Sequence, residues 1–269
     1  DLDVSTTVRL VPGSGRVDVA VAVHNTAADH RIRLRFPLTD SATASIAVGP
    51  FDVIERPIAL PSGEDWVQAP AATFPAHGAA SIPGSGLAVC APGLIETEAT
   101  EHGELLVTLV RSVGIMGGDL PRRGIVAPAL RVPEAQLLRT IRTELSLVPF
   151  AHAEELPRIA REVALPLGCA EAGAEPMLPP GTPVLSLEPA PLVLSSIKPH
   201  EHSAGTIVRL WNPGDTEVEG RLLFGIPVTG ATNVRLDEKP DGGRVTHDGT
   251  TILATVPAHG VRTILVEHS

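Results

Sequence analysis

Residue types able to do chemistry are present in this chain, but few stand at the spacings chemistry needs. His200 and His202 are two apart with Glu201 between them, so they share one face of any strand that carries them. Two histidines can begin a zinc site, but such a site needs a third ligand and an ordered outer layer of hydrogen bonds. The segment reads as a polar loop, and no metal is assigned to it. His24 and His30 flank a turn and read as turn-stabilising. His102 lies near Glu98 and Glu104, the residue types that proton transfer on a sugar ring requires, but nothing in the spacing selects them. A retaining glycosidase needs two carboxyls roughly 5 Å apart across the bond it cleaves. The 31 Asp and Glu residues fall mostly in turns and on polar strand faces, so no catalytic residue is assigned. No nucleophile elbow, phosphate loop or dinucleotide glycine motif stands in a strand–turn–helix context.

The arginines are the better candidates. Arg111 ends the apolar run Leu105–Val110, and Asp119, Arg122 and Arg123 follow in a segment punctuated by Gly117, Gly118 and Gly124. Glycines allow such a loop unusual shapes. A guanidinium makes several directed hydrogen bonds, so an arginine here could hold a polar ligand. An Arg–Asp pair that merely fixes the loop is an equal reading. A second group, Arg31, Arg33 and Arg35, alternates with Ile32, Leu34 and Phe36. Three neighbouring arginines on one strand face repel one another unless acids answer them. This predicts a face covered by another domain; an exposed sheet face is the plainer alternative.

The elements that would position these residues are strands. Val4, Thr6, Val8 and Leu10 alternate with polar neighbours, as do Val17, Val19, Val21 and Val23 after the turn Pro12-Gly13-Ser14-Gly15. Period two around a Gly/Pro turn predicts a hairpin. Further strands are predicted at 45–48, 79–82, 87–91, 94–99, 105–111 and 139–149. Helical spacing of Leu156, Ile159, Ala160 and Val163 predicts one short helix over 152–164, with Pro157 in its first turn. Residues 168–183 lack any period and read as a linker between a domain at 1–167 and another at 184–269. The second region holds strand patterns at 185–187, 192–197, 206–211, 217–224, 231–236, 244–247, 251–256 and 261–266, the layout of a small immunoglobulin-like sandwich. Each region has a strand ending in Asn, at His24-Asn25 and Trp211-Asn212, which reads as a common turn device.

Composition agrees with an all-β chain. The 25 Gly and 26 Pro among 269 residues leave little room for long helices. A net charge of −10, with no basic patch, argues against nucleic-acid binding. No apolar run reaches membrane-spanning length. Two cysteines far apart make no disulfide framework and suit a reduced, cytoplasmic setting. The chain enters a strand pattern almost directly after Asp1, which points to an excised piece of a longer protein.

Four stretches carry a family resemblance. VHNTAADHRIRLRFPL (23–38), FDVIERPIALPSGEDW (51–66), GELLVTLVRSVGIMGGDLPRRG (103–124) with VPEAQ (132–136), and LSSIKPHEHSAGTIVRLWNPGDTEVEG (194–220) resemble, in order, the C-terminal region of family 38 α-mannosidases. The resemblance implies a large, galactose-mutarotase-like super-sandwich followed by a small terminal sandwich. It implies a preceding catalytic barrel, absent from this chain, that binds zinc and hydrolyses mannosides. Nothing in the chain matches that barrel, so no zinc ligand or catalytic carboxylate carries over. The resemblance places the Arg111–Gly124 loop near the barrel, where Arg111, Asp119, Arg122 and Arg123 would touch substrate. Related sequences carry a Ser-Arg pair before the Asp, where this chain has Ile115-Met116-Gly117-Gly118. The implied role is therefore a non-catalytic region that braces its own N-terminal catalytic domain and edges its cleft, with room for a homo-oligomer. Two alternatives are a free carbohydrate-binding module and a mutarotase-like enzyme. The first is disfavoured by aromatic poverty: no Tyr, five Phe, and only Trp66 and Trp211.

Overall fold

The structure, a computed structural model, describes residues 2–118, 128–165, 167–169, 171, 178–243 and 245–268. It divides into two compact units, residues 1–165 and 166–269. Among the described residues nearly every regular element is a strand, as the alternating sequence predicts, and no helix is long and apolar enough to cross a membrane.

In the first unit the predicted hairpin forms as β1 (Asp3–Leu10) and β2 (Val17–His24), in unbroken register from Asp3↔His24 to Leu10↔Val17. There follow β3 (Arg31–Pro37), β4 (Ala44–Val48), β5 (Val53–Pro57), β6 (Thr73–Pro75), β7 (Ala79–Ser81), β8 (Leu87–Cys90), β9 (Glu96–Ala99), β10 (Glu104–Arg111), the short β11 (Ile115–Met116) and β12 (Leu130–Arg131), and β13 (Thr140–Pro149). They make a seven-stranded sheet, β1-β2-β13-β8-β7-β4-β5, and a four-stranded sheet, β3-β10-β9-β6. The two sheets share one core: Ala47, Val89 and Leu145 from the first meet Leu105, Val107 and Ala99 from the second. Gly103 makes the turn into β10 with φ +70°, and a Cβ there would fall 2.2 Å from Thr39 Oγ1, so only glycine fits.

Period alone did not reveal β5, β6, β11 or β12: β11 and β12 have two residues each, too few for an alternation, and β5 and β6 each run into a proline. The predicted strand over 94–99 begins at Glu96, since Leu94 closes a turn by donating its N–H to Ala91 O. The helix over 152–164 is in two parts: a 3₁₀ turn at Ala153–Glu155, then α1 (Leu156–Ala164). Pro157 sits in the first turn of α1, where its missing N–H costs no bond. Leu156, Ile159 and Ala160 bury the apolar stripe of the helix.

The second unit contains β14 (Leu185–Glu188), β15 (Val193–Pro199), β16 (Thr206–Trp211), β17 (Val218–Phe224), β18 (Val228–Val234), β19 (Val245–Asp248), β20 (Thr251–Val256) and β21 (Val261–His268). Two four-stranded antiparallel sheets, β14-β17-β20-β19 and β15-β16-β21-β18, enclose a core of Leu210, Leu222, Ile252 and Ile264. Each such fully buried side chain contributes roughly 1.5–3 kcal/mol of transfer free energy. Seven residues of the segment 168–183, at 170 and 172–177, lie outside the described residues, and the division between the two units falls at 165/166.

Candidate functional site

An arm leaves the first unit at the end of β10 and returns before β13. Its outgoing and returning legs pair as β11 and β12, with Ile115 opposite Arg131 and Met116 opposite Leu130. Its base is tied by side chains drawn from three separated motifs. Asn25, buried at the end of β2, donates from Nδ2 to Ser112 Oγ (3.2 Å), Gln136 O (3.0 Å) and Leu137 O (3.0 Å). Ser112 Oγ donates to Gln136 O at 2.8 Å. Gln136 meets Asp29 twice: its Oε1 accepts from Asp29 N at 2.8 Å, and its Nε2 donates to Asp29 Oδ1 at 2.7 Å. Gly114 N donates to the same Asp29 oxygen at 3.1 Å. A Cβ on Gly114 would stand 2.6 Å from Gln136 Nε2, so glycine here leaves room for the clamp. Asp29 has φ +54°, in the left-handed region that aspartate tolerates better than most residues. Sequence reading placed His24 and His30 at this turn and missed Asp29, Ser112 and Gln136. Their partners lie 24 to 111 residues away, and no local signal reveals them.

Arg111 stands at the foot of this arm, on the outer face of the four-stranded sheet. Its Nη1 reaches Glu96 Oε2 at 3.3 Å, and the side chain remains largely exposed. Asp119, Arg122 and Arg123, the other predicted site residues, lie outside the described residues.

Arg31, Arg33 and Arg35 share that outer face, and here one premise is corrected. The acids that answer them come from their own sheet. Arg31 Nη1 reaches Glu96 Oε1 at 3.3 Å, Arg33 Nη1 reaches Glu98 Oε2 at 2.6 Å, and Arg35 Nη1 reaches Glu104 Oε1 at 2.8 Å. The sheet order β3-β10-β9 brings the charges together, so their repulsion requires no second domain. Glu98 and Glu104 thereby face arginines; His102 is exposed and has Glu101 as a neighbour, at 3.9 Å. Partial burial pushes the Glu96 carboxyl up. The hydrogen bond from Thr108 Oγ1 (2.7 Å) and the charges of Arg111 and Arg31 outweigh it, so the carboxyl titrates below its ordinary value.

The second unit gathers its own charged cluster. Glu238 has φ +62° and a buried carboxylate held by the Lys198 ammonium, by the Glu201 N–H at 3.0 Å, and by His200 Nε2 at 3.7 Å. The Lys198 bond, with the Glu201 N–H, holds the Glu238 carboxyl below the ordinary range against the effect of desolvation; Lys198 is raised in turn, chiefly by Glu238. His200 Nδ1 lies 2.8 Å from Ser203 Oγ. The cluster is a clamp on the 199–205 turn. Among the described residues no three of His, Cys, Asp and Glu converge as a metal site. Trp211 is buried, while Trp66 and Phe51 are exposed.

With this geometry in hand, the comparisons with known proteins are specific. Residues 191–264 match the family model described as the glycosyl hydrolases family 38 C-terminal beta sandwich domain. A curated relative from Halalkalibacterium halodurans, named putative mannosylglycerate hydrolase, is 28% identical over 232 residues, 83% of this chain and 24% of its own length. The crystal structure of an alpha-mannosidase from Enterococcus faecalis V583 superposes with a TM-score of 0.82 at 22% identity, over 98% of this chain and 29% of that one. A family 38 protein from Enterococcus faecalis gives 0.78 at 22% identity, over 98% and 30%. The chain thus spans about a quarter of the curated relative and under a third of the solved chains. Residues 191–264 thus match the family 38 C-terminal beta sandwich domain, and the chain as a whole shares the fold of the solved family 38 chains.

Proposed function

We propose that the chain is the non-catalytic C-terminal region of an α-mannosidase-like glycoside hydrolase. It braces a zinc-dependent catalytic barrel carried elsewhere in a longer protein, and the arm from Arg111 to Gly124 edges that barrel's cleft. The supporting observation is the clamped base of the arm. Two of the stretches that resemble the family contribute to one hydrogen-bonded knot, the first giving Asn25 and Asp29 and the third Ser112, Gly114 and Gln136. A knot that fixes the paired legs β11 and β12 is the arrangement a rigid cleft wall needs. Zinc, if held by the barrel, would polarise a substrate oxygen there; this chain's part is to position Arg111, Arg122 and Arg123. Relatives named as an alpha-mannosidase and a putative mannosylglycerate hydrolase support an α-mannoside as the substrate class. Two free cysteines, Cys90 buried and Cys169 exposed, support a reducing bacterial cytoplasm as its compartment.

The test is Arg111→Ala and the pair Arg122→Ala/Arg123→Ala in the protein made from the whole reading frame, assayed on an aryl α-mannoside and on mannosylglycerate. Loss of a charge-assisted hydrogen bond to substrate lowers kcat/KM about tenfold or more with the melting temperature unchanged. An unchanged kcat/KM for both would remove the arm from the cleft.

A further inference from the structure

The first sandwich is open at one end. Opposite residues of β1 and β2 share a face: Val4 lies across from Val23, Val8 from Val19, and Leu10 from Val17. That face is the core side, since Val23 and Val21 are 0% and 3% exposed and pack with Leu109 and Val110 of the other sheet. Yet Val4, Val8 and Leu10 are 51%, 65% and 74% exposed, and no residue of β1 is buried. Among the described residues the covering sheet has four strands against seven and stops at β3. Ile32 and Leu34 of β3 pack against the core of β2, so the next strand position outward lies over β1. An apolar cleft of about 470 Å³, lined by Leu10, Val17, Leu87 and Leu147, opens at the same end.

The edge of β3 faces that position. His30 O accepts from Ser112 N, and Leu38 N donates to Gly103 O, so the even-numbered residues carry the ladder to β10. The odd-numbered residues Arg31, Arg33 and Arg35 therefore aim their N–H and C=O groups at the free edge, because successive backbone groups alternate in direction. An edge seven residues long that no described strand pairs is a template for another strand.

We propose that a β-strand from the polypeptide outside this chain adds to the edge of β3 and closes the sandwich over β1. The occupant rests on the reading above that the chain is part of a longer hydrolase: the relatives carry about three-quarters of their length outside the match. The strand's chemistry follows from its two faces. Alternate residues are apolar and cover Val4, Val8 and Leu10. The residues between them favour Asp or Glu, because the outer face beside it carries Arg31, Arg33, Arg35 and Arg111 against Glu96, Glu98 and Glu104.

Two preparations test this, the 269-residue chain and the protein from the whole reading frame, each with and without Val8→Asp. In the longer protein the amides of Arg31, Arg33 and Arg35 exchange with solvent at least about 100-fold more slowly than in the 269-residue chain. Val8→Asp lowers the melting temperature of the longer protein by several degrees and leaves that of the shorter chain unchanged, because Val8 is exposed there. Equal exchange in both forms, or an equal effect of Val8→Asp, overturns the proposal. So does protection of these amides in a dimer of the 269-residue chain, which would make a second copy the occupant, or a reading frame that supplies no further polypeptide. α-Mannoside turnover measured on the same longer preparation keeps the two readings apart, since an active enzyme with an unprotected β3 edge sinks this inference alone.

Discussion

Gln136 and Asp29 are joined by two hydrogen bonds, one to the backbone and one to the side chain of Asp29, across 107 residues of sequence. The pair ties the returning leg of the arm to the turn between β2 and β3. Gly114 on the outgoing leg binds the same Asp29 oxygen, so one carboxylate holds both legs.

Gln136→Ala removes both bonds and costs about 1–2 kcal/mol, reduced because the pair is solvent-exposed. Gly114→Ala gives a similar loss by pushing the Gln136 amide away. Urea unfolding of the first unit measures both, and the double variant is less than additive because the residues share one clamp. Additive losses would mean the clamp is not a unit.

Asn25 and Asn212 are both buried and built alike. Each Oδ1 accepts a backbone N–H two residues on, from Ala27 at 3.3 Å and from Gly214 at 3.0 Å, and each Nδ2 donates to carbonyls brought from far along the chain. Asn→Ala at either position strands several buried polar groups and costs about 3 kcal/mol. Asn25→Ala lowers the unfolding midpoint of the first unit, and Asn212→Ala that of the second. Wild-type midpoints in both variants would contradict this assignment.

Glu96 sets an acid-side dependence. Its folded pKa is depressed, so its stabilising effect is present above the unfolded glutamate value and is lost as pH falls through the folded one. The unfolding midpoint of the first unit therefore declines from neutral pH to about pH 3, and Glu96→Gln flattens part of that decline. An identical pH profile in the variant would show that Arg31 and Arg111 do not hold this carboxylate.

The two thiols should behave oppositely. Burial pushes the Cys90 thiol up to about 12 against the charge of Arg16, whereas Cys169 is exposed. A maleimide reagent labels Cys169 quickly in the native protein and Cys90 only after unfolding. Rapid double labelling would place Cys90 at the surface.

Strands with a clear period of two were legible in the sequence, because alternation reports a half-buried face directly. The shortest ones, β6, β11 and β12, offer no period to read. The charged face was half legible: Arg31, Arg33 and Arg35 announce a common strand face. That Glu98 answers Arg33 depends on the order β3-β10-β9, which no local pattern encodes. The Asn25 and Asn212 turns were visible as a pair, but read as ordinary turn chemistry; only the carbonyls gathered around each amide show them to be anchors. The knot at the arm's base was legible only as separate motifs, since its members meet through tertiary structure alone.

The most direct measurement compares turnover of an aryl α-mannoside by the 269-residue chain with turnover by the product of the whole reading frame. The account predicts hydrolysis by the longer protein and none by the chain alone. Hydrolysis by the 269-residue chain, at a rate proportional to its concentration, would contradict it.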